Sequence, residues 1–180
     1  MGAQSVISRG KPQALVRWLL AVALLIVTIV AVGGITRLTE SGLSITEWKP
    51  VTGTLPPLSE AQWQAEFEAY KQIPQYTELN GPAGMTLDDY KFIYFWEWFH
   101  RLLGRLVGLV LVGGIVWFAL RRQIPQGYFW RLTALAALVG LQGSLGWWMV
   151  ASGVEADSDV KVSHLRLAAH LLVALVTLGG

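Results

Sequence analysis

The sequence predicts an all-α integral membrane protein: four transmembrane helices in an antiparallel bundle, N-terminus cytoplasmic, with a short amphipathic helix in a long outer loop. Three observations predict it. Of the 180 residues, 53% are hydrophobic and only 14% charged, with a mean hydropathy of +0.46, which is too apolar for a soluble domain. Apolar runs recur along the chain at about the 20 residues that cross a bilayer. The charges between those runs are sided. There is no Cys, which excludes disulfides and thiolate metal sites. Basic residues are scattered rather than gathered on one face, so no nucleic-acid surface is expected. Residues 1–180 read as one membrane domain.

The first span is expected over residues 15–35, interrupted only by Arg17 and Thr28. It is long for a signal peptide, and no A-x-A site follows it. Residues 36–87 form a polar connection. Its first part, TRLTESGLSITEWKPVTGTLPPL, is rich in Thr, Ser, Gly and Pro and should be irregular. Ser59 with Gln62 makes a capping-box pattern, and Trp63, Phe67 and Tyr70 fall on one stripe at helical spacing. These predict a helix from about 60 to 72, ended by Pro74, that lies on the membrane surface or lids a site. Thr86 is the expected N-cap of the second span, with Asp88 and Asp89 in the first turn. That span should cover 88–120, closed by Arg121 and Arg122.

The third span, 128–150, opens on Tyr128, Phe129 and Trp130 and ends at Trp147 and Trp148, as an interfacial aromatic belt would have it. The fourth is expected over 160–180. Gly104 and Gly108, and the strip Gly140, Gly143 and Gly146, allow close helix packing. Arg9, Lys11 and Arg17 lie at the first end of span one, and Arg121, Arg122 and Arg131 between spans two and three. Neither region holds an acid. Positive-inside therefore puts both in the cytoplasm and turns the long loop and the acidic 151–161 loop outward. Spans two and four then enter from the same side.

The chemistry concentrates in Asp88–Arg105, DDYKFIYFWEWFHRLLGR. Glu97 and His100 are three apart and Glu97 and Arg101 four apart, so the three share one helical face; Arg105 follows a turn later. Ionisable groups inside a membrane helix are costly and mark function by default. The plain alternative is anchoring by side chains that snorkel to the interface, which weighs most for Arg101 and Arg105. Glu97 and His100, among Phe95, Trp96, Trp98 and Phe99, are the stronger candidates. His170, in LAAHLLVAL, is a polar group on an apolar stretch and needs a partner. His164, six residues earlier, competes with it but points to another face, nearer water. On parallel helices His100 and His170 would offer two axial nitrogens to one iron porphyrin. Gly104 and Gly108 would make room for the macrocycle, and Arg101, Arg105 and Arg166 would meet its propionates. Glu97, one turn from His100, would take up protons.

Three stretches go beyond generic patterns: GGITRLTESGLSITEWKPVTGTLPPL, KFIYFWEWFHRLLGR and VSHLRLAAHL. In order and separation they resemble the haem A synthase family, over about residues 33–172, and the cysteine-poor proteobacterial or mitochondrial type within it. The resemblance implies an eight-helix membrane oxidoreductase of two similar halves. Such an enzyme oxidises the C8 methyl of haem O to the formyl of haem A, for terminal oxidases. By its motifs Glu97 is the essential carboxylate and His100 and His170 are axial ligands of the substrate haem. A haem b belongs to the other half. The chain then reads as the first half only, in the bacterial or mitochondrial inner membrane. Its expected partners are haem O, lipid, a haem O synthase or electron donor, and a second copy. Two other functions compete: a b-type bis-His electron-transfer subunit, and a haem-free assembly scaffold in which both His merely pack.

Overall fold

A computed structural model describes residues 12–154 and 162–179. Arg9, Lys11 and the acids Glu155, Asp157 and Asp159 lie outside the described residues, so the sidedness they contribute rests on sequence. Among the described residues the fold is helical, with no strand. Helix α1 covers Pro12–Leu38, α2 Glu60–Tyr70, α3 Leu87–Leu120, α4 Tyr128–Val154 and α5 His164–Gly179, with a 3₁₀ turn at Thr52–Thr54 and a π-helical turn at Gln75–Asn80.

Each helix starts and stops for local reasons. Ser59 caps α2 and Thr86 caps α3, each in a reciprocal capping box with the residue three positions on, Gln62 and Asp89. Helices α1 and α3 both end by a left-handed residue, Glu40 (φ 52°) and Arg122 (φ 51°). The amide after it reaches five residues back, Ser41 to the Thr36 carbonyl and Gln123 to that of Phe118. This closure usually recruits glycine. Helix α2 stops at Tyr70, two residues before its expected end. Pro74 does not simply break the chain but opens the π-helical turn that the sequence pattern did not reveal.

Helices α1, α3 and α4 are long and apolar enough to cross a membrane. The fourth expected span is described as 16 residues, about 24 Å of helix against a hydrocarbon core of about 30 Å. Its packing is nonetheless that of its longer neighbours: α1 lies against α3, α3 meets α4, α4 runs along α5, and α5 touches α1.

Two cores result. The inner one joins Val22 and Ile26 of α1 to Val107 and Leu111 of α3, with Leu135, Ala136 and Val139 of α4 packed on it. The outer one is aromatic. Phe67 stacks on Tyr90 at 5.0 Å, and Trp63 meets Tyr94 edge-on at 5.0 Å. Such ring pairs add about 0.5–1.5 kcal/mol each beyond the area they bury. The stripe read from the sequence is therefore real, but it faces the N-terminal end of α3 rather than lipid or water. Packed in this way, α2 fastens the long loop above the helices.

Candidate functional site

Glu97 lies on α3 where the long loop between α1 and α2 crosses it. It is 3% exposed, as a carboxylate can be only if its oxygens are engaged. Oε2 accepts from the Ser44 hydroxyl at 2.7 Å and the Ile45 amide at 2.8 Å, and Oε1 from Arg101 Nη2 at 2.6 Å. Tyr90 donates to the Ser44 carbonyl at 3.1 Å. The sequence placed Glu97 among aromatic rings; the structure buries it against main-chain and side-chain donors of residues 44–45. Chain neighbours cannot reveal that pairing, since the loop returns from some fifty positions away.

The arginines continue the same seam. Arg101 Nη2 donates to the Ile45 carbonyl at 3.0 Å and Nη1 to that of Glu47 at 3.2 Å, with Trp48 5.9 Å from the guanidinium. Arg105 donates to Pro50 at 2.8 Å and Lys49 at 2.9 Å, and Trp98 to Thr54 at 3.2 Å. Arg166 gives Nη1 to the Trp148 carbonyl at 2.7 Å and stacks over that indole. All three guanidinium groups thus bind main-chain carbonyls. One donor stays open: Arg105 Nη1 is buried with no hydrogen-bond partner.

The imidazoles lie on α3 between Glu97 and Arg101, level with the loop, and in the second turn of α5. His100 on α3 turns toward Gly33 of α1, and His170 on α5 toward Gly146 of α4. The two rings are within electrostatic range of each other. Nδ1 of each is buried without a hydrogen bond. His164 sits exposed at the start of α5. Gly104 packs on Ile29 of α1, which is ordinary helix contact, and Gly108 faces open space. Among the described residues no three His, Cys, Asp or Glu gather at a point; a bis-imidazole porphyrin site needs only two ligands. The residues fit such a group: two imidazoles, on α3 and α5, are the ligand type it needs, and Arg105, a little over one turn beyond His100 on α3, keeps an unpartnered guanidinium donor.

Sequence reading missed Ser44, whose role depends on the loop's path. It also missed Gln142, whose Nε2 holds the His170 carbonyl at 2.8 Å while its Oε1 is buried and unpartnered. Gln142 is a lone amide in the apolar run LVGLQGSLG, and the cost of a polar group in a membrane helix would have flagged it.

A profile of the family described as "Cytochrome oxidase assembly protein" matches residues 16–180. The chain belongs to this family. It is 66% identical over 173 residues to a protein of Novosphingobium aromaticivorans named "Heme A synthase", covering 96% of this chain and 49% of that one. Proteins of the same name from Sphingopyxis alaskensis and Erythrobacter litoralis are 67% and 62% identical over 170 and 167 residues, covering 94% and 93% of this chain and 47% and 49% of theirs. The chain therefore spans about half the length of these relatives. No solved structure matches. Family membership and three helices able to cross a bilayer make this a multi-pass membrane protein.

Proposed function

We propose that the chain is the substrate-haem half of a haem A synthase, a four-span antiparallel bundle in the inner membrane that binds haem O and takes part in oxidising its C8 methyl to a formyl group. The observation that carries this reading is the pair of half-buried imidazoles on α3 and α5, in electrostatic range and each with an unpartnered ring nitrogen, in a chain closely similar to proteins named "Heme A synthase". Haem, when bound, supplies the redox chemistry. His100 and His170 would hold its iron. Arg105 Nη1 is the donor left to meet a propionate, with Arg101 and Arg166 lending charge while they hold main-chain carbonyls. Oxidising a methyl to a formyl group sends electrons to an external acceptor and releases protons, and Glu97 would take one proton up at Oε2, beside the Ser44 hydroxyl. Arg101 and the Ile45 amide keep that carboxylate in place. Haem b belongs to the other half of the enzyme, and an electron donor or haem O synthase would dock on the assembled protein.

One observation favours a second reading, a b-type electron-transfer subunit: both oxygens of Glu97 are already occupied by the loop and Arg101, as suits a purely structural carboxylate. The test is expression with a haem O source, followed by extraction and chromatography of the bound haem. Wild type is expected to yield haem A, and Glu97→Gln to retain haem O unconverted. Conversion by Glu97→Gln at the wild-type rate would remove Glu97 from the reaction. Haem b alone in the wild type would establish the electron carrier, and a missing Soret band would exclude haem altogether.

A further inference from the structure

A side chain on a helix covers the turn N-terminal to its own Cα. A glycine leaves that turn bare, and with it the carbonyl four residues back. Among the described residues Gly114 shows the device in full. The Trp18 indole of α1 occupies the space over Gly114 of α3, where a Cβ would lie 2.1 Å from it. Its Nε1 donates to the carbonyl of Val110, four residues before Gly114, at 3.0 Å.

The two imidazoles repeat the arrangement. A Cβ on Gly33 would lie 3.0 Å from His100 Cε1, 3.4 Å from Nδ1 and 3.9 Å from Nε2. A Cβ on Gly146 would lie 3.4 Å from His170 Cε1 and 3.8 Å from Nδ1. In both, the Cε1–Nδ1 edge faces the glycine. The carbonyl opposite each ring is again the one four residues back, Ile29 for His100 and Gln142 for His170. Nδ1 itself makes no hydrogen bond of ordinary geometry in either ring, and a small rotation over the bare surface would close one. An iron-ligating imidazole commonly gives its other N–H to such a carbonyl, which sets the tautomer and the ring plane.

We propose that Gly33 and Gly146 are positioning residues for the two imidazoles, each baring a helix carbonyl, of Ile29 and of Gln142, to receive Nδ1–H so that Nε2 is presented to a haem iron. This rests on the haem-binding reading above but concerns α1 and α4, which supply no ligand.

The spacing grades the outcome. At 3.0 Å a new methyl displaces His100, whereas at 3.4 Å His170 accepts a methyl but not a branched side chain. The protein purified in detergent is read by haem per polypeptide and by the electron paramagnetic resonance g-values of its oxidised haem. Gly33→Ala and Gly146→Val should each lose about 10-fold in haem occupancy or shift the bis-imidazole g-values, the scale of losing an outer partner of a metal ligand. Gly146→Ala, whose methyl makes only ordinary contact with His170, should lose less than Gly146→Val, and Gly34→Ala and Gly143→Ala, whose added methyls meet nothing within 4 Å, should stay near wild type. If Gly33→Ala does not fold, Gly146→Val against Gly146→Ala decides. Wild-type occupancy and g-values in Gly33→Ala and Gly146→Val, with the signal lost in His100→Ala, would overturn the proposal and leave the haem reading standing. Retention of the signal in both His100→Ala and His170→Ala would overturn both.

Discussion

At Glu97 one carboxylate satisfies three donors from two segments. Replacing it by alanine strands the buried Ser44 hydroxyl and Ile45 amide and removes the counter-charge of Arg101, which is 13% exposed. Breaking such a pair from one side costs about 3 kcal/mol. Ser44→Ala removes a single neutral donor and should cost about 1 kcal/mol. The expected order, Glu97→Ala well below Ser44→Ala below wild type, is checked by thermal unfolding in detergent together with the rate of proteolytic nicking in residues 41–54. Equal losses in the two variants would mean that the carboxylate does not pin the loop. The half of this site that lies on one helix was legible in the sequence, because a spacing of three or four residues fixes a shared face. Ser44 and Ile45 were not, since a contact across some fifty residues leaves no periodic trace.

Helix α2 shows the same division between local and tertiary signals. Its cap and its apolar stripe were readable; what covers the stripe was not, because two aromatic rings on α3 compete with lipid for it. Tyr70 is fully buried there. Its hydroxyl donates to Gln75 Oε1 at 3.1 Å and accepts from Asn80 Nδ2 at 2.6 Å. Burial pushes its pKa from 10.0 up to about 12, against the opposing pull of the Asn80 bond. The folded state thus holds the phenol proton more tightly than the unfolded one. The stabilisation is whole below pH 10.0 and is lost as pH rises through about 12. The tyrosinate absorbance difference between wild type and Tyr70→Phe should accordingly emerge near pH 12 and not near 10. A normal midpoint would show that α2 does not seal the outer core. The ion pairs around it add little: Lys91, half-buried, reaches the exposed Glu60 only at 3.5 Å, worth well under about 1 kcal/mol.

For the whole molecule, the helical class and the extents of three apolar helices followed from composition and hydropathy, to within a few residues at each end. The placement of α5 beside α4 and α1 did not, because helix neighbours depend on which small surfaces meet. Orientation in the bilayer rests on charge sidedness and can be tested cleanly, since the chain has no cysteine. A single cysteine at Leu58, exposed in the long loop, should react with a membrane-impermeant maleimide in intact cells, and one at the exposed Gln126 only after permeabilisation. The reverse pattern would invert the topology. The seam between α3 and residues 45–54 has a further consequence. Apart from the Ser44 hydroxyl, its ties reach main-chain atoms of the loop: the Ile45 amide and the carbonyls of Ile45, Glu47, Lys49, Pro50 and Thr54. Every amino acid but proline carries both atoms, and every one carries the oxygen. Most of the mutational burden therefore falls on one partner: the loop lends the seam few side chains, chiefly the Ser44 hydroxyl and the Trp48 ring, while Glu97, Trp98, Arg101 and Arg105 supply the side chains that tie its main chain.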